Sequence, residues 1–145
     1  MFSAGYASCP SPVRMPRDHK ELVVWQLADQ LRVLVLALTE DGAASRDLKF
    51  RDQLRDAVSS VGRNLAEGFY RYDHPEFANF TRYARASLGE TQDLLHEGRK
   101  RRYWSEAQTR PADALARRTM IGVSRLHRYL RSTRAPSSDK PRPKR

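Results

Sequence analysis

Four segments of the chain carry apolar residues at the 3.6-residue spacing of an amphipathic α-helix, and none alternates as a β-strand would. The segments run from Asp18 to about Thr39, from after Ser45 to Gly68, from Asp73 to the basic residues at Arg99, and from Ala112 to about Ser132. Short connections between them favour neighbouring helices that run in opposite directions. The sequence therefore predicts an all-α protein, an antiparallel up-down-up-down four-helix bundle.

The helix ends are predicted from capping residues and breakers. Three pairs have the spacing of a capping box: Asp18 with Glu21, Asp73 with Glu76, and Ser105 with Gln108. Gly68 has the position of a glycine that ends the second helix. Pro111 would interrupt the hydrogen bonding of a helix that starts at Ser105. The sequence leaves open whether the fourth helix is kinked there or follows a separate short turn.

The two ends of the chain differ from the middle in composition. Residues 1–17 are rich in proline and serine, and residues 134–145 are basic with nothing apolar to bury. We therefore predict a disordered leader and a disordered basic tail on either side of a bundle domain of residues 18–133. Whether Met15 is the true start stays open. A single cysteine, Cys9, and the lack of a long apolar run predict a cytoplasmic protein without a membrane span.

The first predicted helix is apolar on two faces. One face carries the regular core stripe, and a second apolar set, on the opposite side, consists of Leu22, Trp25, Val33 and Leu36. The core of one bundle cannot bury both faces of the same helix. We therefore predict that the second set packs against another subunit.

Positive charge is concentrated in the last third of the chain. Residues 99–145 hold 15 Lys and Arg against 3 Asp and Glu, whereas residues 1–98 hold 12 against 14. Arginine outnumbers lysine 22 to 5, and its planar guanidinium suits bidentate contact with phosphate. An acidic partner, either nucleic acid or protein, is therefore expected at the C-terminal third.

The predicted nucleic-acid-binding residues form two groups. The first is a basic run followed by two rings that could stack on bases, and the second is an arginine face on the fourth helix, opposite its core stripe. In chain order they are Arg99, Lys100, Arg101, Arg102, Tyr103, Trp104, Arg110, Arg117, Arg118, Arg125, Arg128 and Arg131. Two alternatives stay open, because the arginines could form only a solvated face and Trp104 could close the core.

A polar cluster is predicted between the second and third helices. Asn64 and Glu67 lie three residues apart on one face, and Arg82, Arg85 and Glu90 could meet them from the third helix. Buried charges must be paired, so such a cluster would fix how the two helices dock. A pocket for a phosphate or a base is the alternative, which the acidic Glu67 disfavours.

Catalytic and metal-binding patterns are weak in this chain. Asp93 and His96 have the acid-x-x-His spacing of di-iron bundles, but such sites need two pairs and further carboxylates. No grouping of a nucleophile with a base and no glycine-rich phosphate loop is discernible. We therefore expect a non-catalytic protein with no cofactor and no metal.

Several residues resemble a known family. They are Val24-Trp25-Gln26, Gln53-Leu54-Arg55, Asn64-Leu65-Ala66-Glu67-Gly68-Phe69, Glu76-Phe77, Phe80, Arg82, Ala84-Arg85, Ser87-Leu88 and Glu90. Together they resemble the four-helix-bundle family first noticed in intervening sequences of 23S ribosomal RNA genes, over about residues 20–130. The chain departs from the family at Ala86, at Gly89 and in its long basic tail.

The resemblance implies a bundle that assembles as a ring, typically a homopentamer. It also implies kinship with the accessory variability determinant of diversity-generating retroelements, a basic pentamer that binds nucleic acid and a reverse transcriptase. With the charge pattern, it predicts a homo-oligomer that binds nucleic acid, RNA rather than DNA, and that serves as an accessory factor to a reverse transcriptase. The alternative is a scaffold whose basic face binds an acidic protein without nucleic acid.

Overall fold

The computed structural model describes residues 16–71 and 73–133. The predicted basic tail and most of the predicted leader lie outside the described residues. The described elements are a 3₁₀ turn, His19–Glu21, and five helices: α1 Val23–Leu38, α2 Gly42–Arg46, α3 Leu48–Phe69, α4 His74–Lys100 and α5 Glu106–Ser132. This helical content confirms the predicted all-α class. In these two ranges, no helix is long and apolar enough to cross a membrane.

The four long helices pack around a main apolar core, and Phe77, Ala78 and Leu130 form a second, smaller cluster. Helix α3 lies against α4, α4 against α5, and α1 contacts both α5 and α3. Side chains that are fully buried on these helices include Leu31, Leu54, Leu65, Leu88, Leu95 and Val123. Burial of each such side chain contributes about 1.5–3 kcal/mol to folding. The apolar stripes read from the sequence are therefore the surfaces that hold the bundle together.

Helix α1 begins later than its capping pair indicates. The Asp18 side chain accepts a hydrogen bond from the backbone N–H of Lys20, at 2.9 Å, and caps only the 3₁₀ turn. Leu22 then has an extended backbone and precedes α1 without a side-chain cap. The prediction of a helix from Asp18 is wrong in this detail, because the capping residue serves a separate turn.

Helix α3 ends one residue beyond its predicted glycine stop. Gly68 lies inside the helix and is buried, and Tyr70 follows as the capping residue. A Cβ atom at Gly68 would lie 2.8 Å from the Cβ of Phe80. The glycine is therefore required by the close approach of α4 and not by a left-handed helix end.

Helix α5 is continuous through its proline. The capping box of Ser105 and Gln108 is formed, and the helix runs from Glu106 to Ser132 with Pro111 inside it. The proline deprives only the carbonyl of Ala107 of a partner, and Ala107 is exposed to solvent. A separate turn before Ala112 is therefore excluded.

Candidate nucleic-acid interface

The surface of α5 that faces solvent is rich in arginine. Its buried side, which includes Leu115, Thr119, Val123 and Leu130, packs on the core. The opposite side carries Arg110, Arg117, Arg118, Arg125, Arg128 and Arg131, which we call the arginine face; all six are exposed. None of the six has a hydrogen bond or ion pair within residues 16–71 and 73–133. These guanidinium groups are therefore available to a partner.

The arginine face is long and rigidly supported. Arg110 and Arg131 are separated by a continuous helix, which at 1.5 Å per residue places them about 31 Å apart along its axis. At 100° per residue, the six positions fall within an arc of about 140°. The face is therefore a ridge of positive charge that can follow a polyanion over several phosphates.

Arg99 is used inside the protein and is not free. It is partly buried, and its Nη1 donates to Asp113 Oδ2 and to Thr109 Oγ1, both at 2.9 Å. Asp113 and Thr109 lie on α5, so this contact fastens the C-terminal end of α4 to the first turns of α5. The structure thus assigns Arg99 a role in helix packing, in contrast to its predicted contact with phosphate.

Arg101 is also neutralised by carboxylates. Its Nη1 lies 3.0 Å from Asp47 Oδ2, and its Nε lies 2.9 Å from Glu97 Oε1. The hydrogen bond from Arg101 lowers the pKa of Glu97, and the hydrogen bond to Glu97 in turn raises the pKa of Arg101. The positive charge predicted here is therefore largely compensated within the chain.

Lys100 and Arg102 are the members of the basic run that stay exposed without a partner in the described ranges. Arg102 has a φ of 60°, a left-handed conformation that favours glycine. The conformation closes the end of α4, because the next backbone N–H, of Tyr103, bonds back to the carbonyl of Gly98 at 2.9 Å. The side chain of Arg102 is held outward at this turn.

The two aromatic residues after the basic run point into the protein. Trp104 is 7% exposed, and its indole N–H donates to the carbonyl of Leu38 at 2.9 Å. Tyr103 donates its hydroxyl to Asp47 and packs its ring edge-on against Phe50, with centroids 5.2 Å apart. The prediction of exposed stacking rings at this point is wrong, because the core and the N-terminus of α3 use both side chains.

The predicted polar cluster between α3 and α4 is not formed. Glu67 pairs with Arg71, which follows the end of α3, at 2.6 Å. Asn64 donates to Ser60, whose hydroxyl accepts a 2.9 Å hydrogen bond from Ser87 of α4.

The remaining three predicted members, Arg82, Arg85 and Glu90, are exposed and have no partner in the described parts of the chain. The reason is geometric: α4 turns a different face, with Thr81, Ala84 and Leu88, toward α3 and the core.

The second apolar set predicted on α1 lies partly against the protein itself and partly toward solvent. Trp25 packs against the ring of His19, with centroids 5.0 Å apart, and beside Gly62, while Leu22 packs against the core. Val33 is 52% exposed and Leu36 is partly buried. Leu22 and Trp25 thus make contacts within the chain, which Val33 does not show, and a subunit interface at these four residues stays a prediction.

Metal-ligating side chains do not gather in the described ranges, where no group of three or more His, Cys, Asp or Glu could hold an ion. Asp93 and His96 are both exposed on α4.

An exposed aromatic ring does occur beside the arginine face. Tyr129 is 52% exposed and directly follows Arg128 on α5. Sequence reasoning missed it, although its position four residues after Arg125 places it on the same side of the helix.

The described residues thus form a small, basic protein of helices. Six arginines that have no ion-pair partner among these residues lie in a row along one helix, α5. Residues 20–121 match the family model described as 23S rRNA-intervening sequence protein. The chain belongs to this family, as its residues led us to expect. No curated protein matches the chain. The family match ends within α5, so Arg125, Arg128, Tyr129 and Arg131 lie beyond the matched residues.

Proposed function

We propose that this protein is a non-catalytic, homo-oligomeric nucleic-acid-binding protein that prefers RNA and contacts it through the arginine face. The observation that carries the proposal is the exposure of six arginines on one continuous helix, with no partner among residues 16–71 and 73–133. Free guanidinium groups release counterions when they meet phosphates, and they bind independently of base sequence. The family description, which refers to 23S rRNA, is compatible with an RNA ligand.

The proposal includes an assembly in which antiparallel bundles form a cytoplasmic ring, a pentamer by resemblance to the family. An antiparallel course of α3 and α4 is supported by two contacts. Gly68 near the end of α3 lies by Phe77 near the start of α4, and Ser60, earlier in α3, lies by Ser87, later in α4. Exposed Val33 on α1 supports a further subunit contact. A ring would repeat the arginine face around the assembly and let one RNA engage several subunits. A more specific form of the proposal is that the protein presents RNA to a reverse transcriptase.

The test compares two pairs of exposed arginines. We expect Arg118→Gln with Arg125→Gln to weaken RNA binding and to reduce the slope of log Kd against log salt by about 1.4, at roughly 0.7 per lost phosphate contact on a single strand. The matched control is Arg82→Gln with Arg85→Gln, which removes the same charge from α4. Fluorescence anisotropy with labelled RNA over a salt series measures both.

Equal effects from the two arginine pairs would contradict a site on α5, since net charge alone would then explain binding. Absent or salt-insensitive RNA binding by the unmodified protein would overturn the proposal as a whole. In that case, a protein partner that stays bound after nuclease digestion would favour the scaffold alternative.

A further inference from the structure

Tyr129 stands at the C-terminal end of the arginine face. It lies one helical turn beyond Arg125, on the same side of α5, and follows Arg128 directly in the chain; neither arginine has a partner in the described chain. Just over half of the side chain is exposed. An exposed tyrosine beside the arginine face presents an apolar ring next to groups that can bind phosphate.

The Tyr129 ring packs against a neighbouring ring on one side. It packs against the imidazole of His74, with centroids 5.9 Å apart and the planes inclined by 49°. His74 is itself held by Thr133, whose hydroxyl lies 2.9 Å from Nδ1. The backbone N–H of Thr133 closes the arrangement by donating to the carbonyl of Tyr129, at 3.1 Å. The start of α4 and the end of α5 thus fix the orientation of the ring in advance of binding.

A second exposed tyrosine shows what distinguishes this site. Tyr83 on α4 is 57% exposed and packs against the ring of Phe80. Its neighbours one turn away in either direction are uncharged: Asn79, Phe80, Ala86 and Ser87. Tyr70 is similarly exposed, at 56%, and Tyr83 directly follows Arg82 as Tyr129 follows Arg128. Among these three tyrosines, an arginine four residues earlier occurs only at Tyr129.

We propose that Tyr129 stacks on an unpaired base while Arg125 and Arg128 hold the adjacent phosphates, so that the ligand of this site is single-stranded RNA. The inference rests on the proposed function and narrows its substrate. In a duplex, each base face is covered by its neighbours, and only an unstacked nucleotide can offer a face to a tyrosine ring. Stacking of this kind tolerates any base, as does phosphate contact by arginine.

The proposal is tested with two RNA probes of equal length, a single-stranded oligouridylate and a duplex. We expect Tyr129→Leu to weaken binding of the single strand by about tenfold, a typical loss when one stacking ring is removed, and to leave the duplex nearly unaffected. Tyr129→Phe retains the ring and should bind as the unmodified protein does. Tyr83→Leu, the matched control, should change neither affinity.

Thermal unfolding of each variant shows whether loss of the His74 contact has altered the fold, and Tyr129→Phe guards against that explanation because it keeps the packed ring. If Tyr129→Leu weakens both probes equally, or weakens neither while the unmodified protein binds RNA, the stacking site is overturned and the arginine face stands. If the unmodified protein binds neither probe, the proposed function itself fails.

Discussion

Gly98 allows the indole of Trp104 to lie directly against the backbone of α4. A Cβ atom at this position would lie 2.7 Å from Cε3 of Trp104 and 3.1 Å from Cζ of Phe50. Both rings are buried, and Trp104 is further anchored by its hydrogen bond to Leu38. The glycine therefore lets three helices meet at one aromatic contact.

We expect Gly98→Ala to lower the free energy of unfolding by about 2 kcal/mol, because the added methyl group overpacks the Trp104 site. Gly89→Ala is the matched change on the same helix, where a Cβ meets no atom within 4 Å. It should raise the stability by about 0.5–1 kcal/mol, since glycine is a poor helix former. Chemical denaturation measures both, and a stable Gly98→Ala protein would contradict the packing described here.

Trp104 also shows where sequence reasoning about the candidate site reaches its limit. Four basic residues precede Tyr103 and Trp104, which by composition alone resembles a surface for stacking bases. The direction of each ring depends on the left-handed backbone conformation of Arg102. An arginine at this position does not predict such a conformation. Distant partners, Asp47 and Leu38, decide the outcome. Contacts of this range cannot be read from local spacing.

At the scale of the helices, the sequence predicts both the buried side and the arginine face of α5. The 3.6-residue period alone places these residues on opposite sides, independently of the helices that pack against α5. The contact between α3 and α4 was not predictable in the same way. Spacing showed that Asn64 and Glu67 share a side, but the rotation of α4 determines which of its residues meet that side. Ser87 reaches Ser60, and Arg82 and Arg85 face solvent.

Asp47 joins the start of α3 to the end of α4. Its side chain accepts from the backbone N–H of Phe50 and caps α3, and it also accepts from Tyr103 and Arg101. These contacts, the Tyr103 hydrogen bond first, hold the pKa of Asp47 below its ordinary value of 3.8. The carboxylate is therefore favoured in the folded state, and it stabilises the protein wherever it is ionised.

Because the folded pKa is lowered, this stabilisation is present above pH 3.8 and is lost as the pH falls through the folded value. Asp47→Asn keeps a capping side chain and removes the charge. We expect the variant to be less stable than the unmodified protein at neutral pH, with the difference disappearing well below pH 3.8. Denaturation at a series of pH values tests this, and a difference that persists unchanged in acid would contradict it.

At the scale of the whole molecule, the exposed apolar surface of α1 bears on the oligomeric state of the bundle. Leu22 and Trp25, which the sequence indicated for a subunit contact, are used within the chain. Val33 and Leu36 are left, and Val33 is 52% exposed. Burial of the exposed half of Val33 against another subunit would contribute about 1 kcal/mol per interface.

We expect the unmodified protein to have a solution mass that is a multiple of 16.7 kDa, and Val33→Asp to shift it toward a single subunit, because an unpaired carboxylate is costly to bury in an interface. Leu48→Asp is the matched control: Leu48 is 58% exposed and lies on α3, outside the arginine face. Light scattering gives the mass of each.

Dissociation by Val33→Asp should also weaken RNA binding, because one subunit offers a single arginine face where an assembly offers several. A monomeric unmodified protein would remove the ring, yet it would leave the arginine face and its salt-dependent contacts intact.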